Sequence, residues 1–160
     1  MKDREIDLCL SSHRVTDPLL DGARLHKEDY VFVGAPGLLR RWPLEADRDA
    51  GEHVLVDINA ALPLFSYWRD SPRGGDRLQF KTVLRAGSIE PMRRLVLEEK
   101  GVAVLPLYFV RADLEAGRLQ RILPEVTPLF DYFRLVFRRD DPRRALFTAL
   151  AESYIRHPLQ

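Results

Sequence analysis

The chain has 160 residues, 46% of them hydrophobic and 31% charged, which suits one globular domain or two small lobes. With 25 basic and 24 acidic residues and a formal net charge of +1, it lacks the unopposed positive surface that phosphate binding needs. Cys9 is the only cysteine, which excludes an internal disulfide and a multi-thiol metal site. The charged opening Met1-Lys2-Asp3-Arg4-Glu5 does not read as a secretory signal, and no apolar run reaches transmembrane length. A cytoplasmic, reducing setting without a membrane partner is the expectation.

Residues 6–11 (IDLCLS) form an apolar run of strand length, followed by a polar turn over residues 13–18. Residues 29–35 (DYVFVGA) read as a second strand closed by Pro36-Gly37. A third covers residues 53–58 (HVLVDI), and residues 78–84 (LQFKTVL) a fourth with partial alternation. Between these two, residues 62–69 (LPLFSYWR) suit a short helix ended by Ser71-Pro72-Arg73-Gly74-Gly75. From residue 88 the grammar is clearer. Ser88 is a good N-cap, Glu90 sits in the first turn, and Met92, Leu95 and Val96 recur at helical spacing, with Gly101 as the left-handed stop.

Residues 102–106 (VAVLP) then read as a buried strand, and residues 107–116 as a helix stopped by Gly117. Residues 119–123 and 133–137 suit strands. Asp141-Pro142 opens a terminal helix with Leu146, Leu150 and Tyr154 as its apolar stripe, flanked by Phe147 and Ala151. The alternation predicts an α/β fold with largely parallel pairing.

Several segments, in this order, resemble the effector-binding domain of LysR-type transcription regulators. Ile6-Asp7-Leu8-Cys9-Leu10 is similar to that family's first "D-hydrophobic-A-I" strand. Residues 20–25, then 30–36, resemble its crossover into the second lobe. Residues 87–106, ending Lys100-Gly101-Val102-Ala103-Val104-Leu105-Pro106, resemble "G-hydrophobic-G-I-A-L-L-P". Asp113-Leu114-Glu115-Ala116-Gly117-Arg118-Leu119, with Leu123-Pro124, is similar to "D-L-A-A-G-R-L…L-P". Residues 133–139 and the helix from Pro142 match the final strand and helix.

The resemblance implies a two-lobed fold like the type II periplasmic binding proteins, with mixed, mainly parallel sheets. Lobe one is expected at residues 1–35 and 139–160, lobe two at 36–138, with hinges near residues 33–36 and 137–139. The family's lobe one opens with two further strands and a helix, preceded by a winged helix-turn-helix. Neither has a counterpart here, so lobe one is expected to be incomplete and DNA to be reached only through a helix-turn-helix absent from this chain. The implied function is sensing of a small anionic effector by lobe closure, in a homodimer or higher oligomer, without catalysis or a cofactor. Two alternatives stay open: a solute binder or enzyme on the same fold, and a shortened domain serving only in oligomerisation.

The resemblance suggests four ligand-facing positions. Ser12 follows the first strand, beside Ser11. Ser88 stands at a helix N-terminus, where free amides and the helix dipole favour an anion. Asn59 follows the third strand. Each also has a plain local role: capping for Ser88 and turn chemistry for Ser11, Ser12 and Asn59. His13, His26, His53 and His157 lack metal-ligand spacing. Asp47-Arg48-Asp49 and Asp140-Asp141 read as solvated loop charges, not acid/base pairs. Arg138-Arg139 and Arg143-Arg144, interrupted by Asp140 and Asp141, suggest surface ion pairs. Cys9 reads as an inert core thiol.

Overall fold

Residues 6–12 and 15–156 are described by the computed structural model, so His13 and Arg14, which open the expected turn, lie outside the described residues. The chain divides into a first unit, residues 1–28 with 131–160, and a second, residues 29–130.

The first unit is an antiparallel sheet under one helix. Strands β1 (Leu8–Ser11), β2 (Leu20–Glu28) and β8 (Asp131–Arg138) pair in the order β1-β8-β2. β1 sets Leu8 against Phe137 and Ser11 against Arg134. β2 runs from Leu20 opposite Arg138 to Glu28 opposite Asp131, with an irregularity between Arg24 and Lys27. Leu135, Val136 and Phe137 are buried because β8 is the central strand. Sequence reading saw no strand in β2, whose Asp, Gly and Lys are poor strand formers. The open edge of β8 imposes the pairing. Cys9, expected in the core, is only half-buried.

Helix α5 (Arg144–Arg156) covers this sheet through Phe147 and Ala151. The Phe147 ring lies 5.4 Å from that of Phe137. Of the expected stripe, Leu150 and Tyr154 are half-buried, whereas Leu146 is 63% exposed. Phe147 and Ala151, expected to flank it, are the buried centre of the helix face.

In the second unit, β3 (Tyr30–Gly34) lies between β6 (Ala103–Pro106) and β7 (Gln120–Arg121), antiparallel to both. β4 (Val54–Asp57) and β5 (Thr82–Arg85) pair in parallel. A parallel bridge between Leu55 and Val102 joins β4 to the start of β6. The sheets are mixed, as expected, but mainly antiparallel. β6 and β7, connected by helix α4 (Leu107–Glu115), run the same way, yet antiparallel β3 is inserted between them.

The unit boundaries fall at Glu28/Asp29 and Phe130/Asp131, earlier in the chain than the lobe boundaries expected at 35/36 and 138/139. β3 belongs with β6 and β7, while all of β8 belongs with β1 and β2. Buried strands follow their hydrogen-bond partners.

Helices α1 (Pro36–Arg41), α2 (Phe65–Arg69) and α3 (Ile89–Leu97) complete the second unit, with a 3-10 segment at Asp47–Glu52. Its core gathers Phe32, Phe65, Trp68 and Phe80, with ring centroids 5.3–6.4 Å apart. Met92 and Val96 of α3 are fully buried, as their spacing predicts. The left-handed residue after α3 is Glu99 (φ 61), not Gly101. Gly101 is needed for a close approach: a Cβ there would lie 2.4 Å from the Val54 carbonyl oxygen.

Candidate functional site

β4 and β5 bring two of the four expected residues together. Their parallel register sets Asp57 beside Arg85. The pairing continues past the strands, as Ala86 N–H donates to the Asp57 carbonyl at 2.8 Å and Gly87 N–H to that of Ile58 at 3.0 Å. Asn59 and Ser88 are the next residue on each chain, and both are exposed. They share the C-terminal edge of two parallel strands, the edge where open α/β sheets hold ligands. Gly87 enables the turn into α3 with its φ of 81, a conformation most side chains resist.

At Ser88 the backbone is extended and accepts the first helical bond, Met92 N–H to the Ser88 carbonyl at 3.4 Å. The hydroxyl makes no capping bond to the backbone. The third helical position is Pro91, which has no N–H to give, so only the Glu90 N–H remains for such a bond. Ser88 is thus a backbone cap with its hydroxyl free for other use. The amides of Ile89 and Glu90 begin the helix at its positive end. Glu90 places a carboxylate in the same turn and opposes a bound anion. Asn59 does have a turn role, its Oδ1 accepting from Ala61 N–H at 2.9 Å, which leaves the amide NH2 to donate outward.

Asp57, which sequence reading did not single out, holds this edge in place. It is fully buried, and its carboxylate accepts the N–H of Ile58 at 2.6 Å, Phe65 at 2.8 Å and Leu64 at 3.3 Å. It thereby caps α2 and clamps the loop carrying Asn59. Burial pushes its carboxyl above the usual range, against the pull of those three amides. The only signal in the sequence was a lone carboxylate ending an apolar strand.

Ser11 and Ser12 lie in the first unit. Ser11 stands opposite Arg134 in the ladder, and the Ser12 carbonyl accepts from the Arg134 guanidinium at 3.3 Å. That guanidinium is anchored by Asp131 at 2.6 Å, both side chains being about nine-tenths buried.

The loop charges are less free than expected. Asp49 Oδ2 accepts the N–H of Ala46 at 2.9 Å and Glu45 at 3.1 Å, entering the 3-10 segment. Arg138 pairs with Asp140 at 2.8 Å, and Arg143 with Asp7 at 2.7 Å and Asp141 at 2.9 Å. Arg144 pairs with Asp21 at 2.8 Å, so Arg138, Arg143 and Arg144 form the expected ion pairs, while Arg139 donates to the Leu20 carbonyl at 3.4 Å. Among the described residues no group of three or more His, Cys, Asp or Glu could hold a metal ion.

Known proteins agree with this architecture. The family model described as "LysR substrate binding domain" matches residues 1–158. The HTH-type transcriptional regulator AbaB of Streptomyces antibioticus is 30% identical over 94% of this chain and 51% of its own. The chain thus spans about half the length of that curated relative. Among solved structures, the C-terminal domains of a LysR family protein from Agrobacterium tumefaciens match 99% of this chain and 77% of theirs, with TM-score 0.79 at 19% identity. CrgA, a LysR-type regulator from Neisseria meningitidis, gives 0.74 at 22% identity over 94% of this chain and 52% of its own. At these identities the structures establish a shared fold. With the family model spanning nearly all its residues, the chain belongs to the LysR substrate-binding domain family.

Proposed function

We propose that this chain senses a small anionic effector on behalf of a transcription regulator, and that the edge formed by Asn59, Ser88 and the start of α3 receives the anion. The carrying observation is the Ser88 hydroxyl, exposed at a helix N-terminus and making no cap bond. Family membership supports regulation over catalysis. In this reading the protein acts in the cytoplasm as a homodimer or higher oligomer, and contacts DNA only through a helix-turn-helix outside the 160 residues. Among the described residues no helix is long and apolar enough to cross a membrane.

Thermal unfolding with carboxylates and sulfate tests the site. A ligand at a hundredfold excess over Kd stabilises by about 2.7 kcal/mol. Ser88→Asp puts a negative charge where the ligand's would sit and should abolish that gain, while stability without ligand stays about the same. An anion response that survives Ser88→Asp unchanged overturns the assignment of this helix end. For the first unit we propose, separately, that Ser11 and Ser12 face an effector.

A further inference from the structure

The second unit has a separate hollow where the loop after α1 meets edge strand β7. We propose that it is a second small-molecule site, for a zwitterion of the α-amino acid class. Its volume is about 350 Å³, within the range of small-molecule pockets, roughly 300–1,000 Å³. Leu39 and Leu44 supply apolar wall, and Glu45, Arg121 and Glu125 stand around it. The residues lie within one unit and are distinct from Asn59 and Ser88.

The three charges carry the argument. Several arginines of this unit are matched internally: Arg41 to Glu99 at 2.7 Å, Arg69 to Asp70 at 2.8 Å, Arg77 to Asp47 at 3.3 Å, Arg93 and Arg118 to Asp113 at 2.6 and 2.7 Å. Arg121, Glu45 and Glu125 form no such pair among the described residues, although all three border one hollow. Charges of opposite sign around a common space, with no ion pair between them, suit a ligand that carries both signs. Arg121 can take a carboxylate in two parallel hydrogen bonds, and Glu45 or Glu125 an ammonium. A simple anion would face two carboxylates and a simple cation the guanidinium, so a single charge is disfavoured.

The backbone contributes independently. Leu123, between Arg121 and Glu125, has φ 45, a left-handed conformation that costs a leucine energy and persists only where packing enforces it. Ile122 and Leu123 are buried and supply that packing. The turn they hold brings Arg121 and Glu125 to the same hollow.

Titrating the 15N-labelled chain with L-leucine tests the site, with 4-methylpentanoate and 3-methylbutylamine as its one-charge counterparts. L-leucine should shift the amides of Leu39, Leu44, Ile122 and Leu123 saturably, and either counterpart should bind at least tenfold more weakly. Arg121→Gln, an exposed change that leaves the fold intact, and the pair Glu45→Gln with Glu125→Gln should each weaken L-leucine at least tenfold. Ser88→Asp should leave this binding unchanged, which separates it from the effector site. Absence of saturable shifts with L-leucine and with every other common L-amino acid overturns the proposal. So does binding that is insensitive to Arg121→Gln, or equal for the one-charge counterparts.

Discussion

Arg93 on α3 grips Asp113 on α4 with two hydrogen bonds, of 2.6 and 3.0 Å. Asp113 is fully buried and also accepts from Arg118 at 2.9 Å. Burial pushes its carboxyl up, but the two guanidiniums together outweigh that and hold it below the ordinary range. The family-like stretch that starts at Asp113 thus has a structural reason: its aspartate ties two helices and the turn after α4 into one body.

Asp113→Ala should destabilise the chain by about 3 kcal/mol, the low end for breaking a buried pair, because both arginines can reach water. Arg118→Ala should cost about 1 kcal/mol or less, since that side chain is 55% exposed. A depressed carboxylate pKa adds stability above its unfolded value near 4, lost as pH falls through the folded value. Urea unfolding at pH 7 and pH 3 should therefore show the deficit of Asp113→Asn shrinking in acid. A constant deficit would place its origin in packing alone.

His53 makes the complementary acid-sensitive group. It is 1% exposed, and among the described residues neither ring nitrogen has a partner in good hydrogen-bond geometry, although the Pro43 and Trp42 carbonyls lie close enough to act on the ring. Burial pushes its pKa down, outweighing the opposing pull of the Pro43 and Trp42 carbonyls, Asp49 and Glu52. The unfolded chain therefore binds a proton that the folded chain resists. Stability is full above about pH 6.5 and falls as pH drops below it. His53→Leu should flatten the stability profile between pH 7 and pH 5, as read by thermal unfolding. An unchanged slope would assign the acid sensitivity to other groups.

The helix of residues 89–97 was legible because apolar spacing and burial agree at Met92 and Val96. β4 was legible because its apolar run is central and has one structural option. β2 was not, since its strand character comes from the edge of β8 and not from its own residues. Strand direction was also hidden, because alternation cannot show that β3 lies between β6 and β7. Asn59 was visible as a position after a strand and Ser88 as a helix N-terminus, but their proximity depends on the β4–β5 register, and the carboxylate of Asp57 that fixes the edge carries no spacing signal.

Ser88 and Glu90 give opposite expectations for one helix end. Losing an N-cap hydroxyl usually costs about 1 kcal/mol. Here the hydroxyl makes no cap bond, so Ser88→Ala should shift stability by less than about 0.5 kcal/mol. Glu90→Gln should tighten anion binding severalfold by removing like charge from the first turn. Thermal unfolding reads the first and isothermal titration with the best stabilising anion the second, and weaker binding in Glu90→Gln would count against an anion at this position.

Gly101 and Gly117 are both expected helix stops, but they are glycine for different reasons, and substitution should separate them. Gly117 has φ 67 and open space where a Cβ would go. Gly117→Ala should cost about 1 kcal/mol of backbone strain, and Gly117→Asn less, because asparagine tolerates that conformation. Gly101 has no such φ, but its Cβ would lie 2.4 Å from the Val54 carbonyl oxygen and 3.0 Å from the Val56 side chain. That oxygen accepts the Val102 N–H at 2.9 Å, so relief would break the bridge joining β4 to β6. Gly101→Ala should therefore cost about 2–3 kcal/mol as an overpacking defect, with Gly101→Asn no better. Chemical denaturation of the four variants decides the matter. Equal rescue by asparagine at both positions would mean that backbone conformation, not the approach of β4, selects glycine at 101.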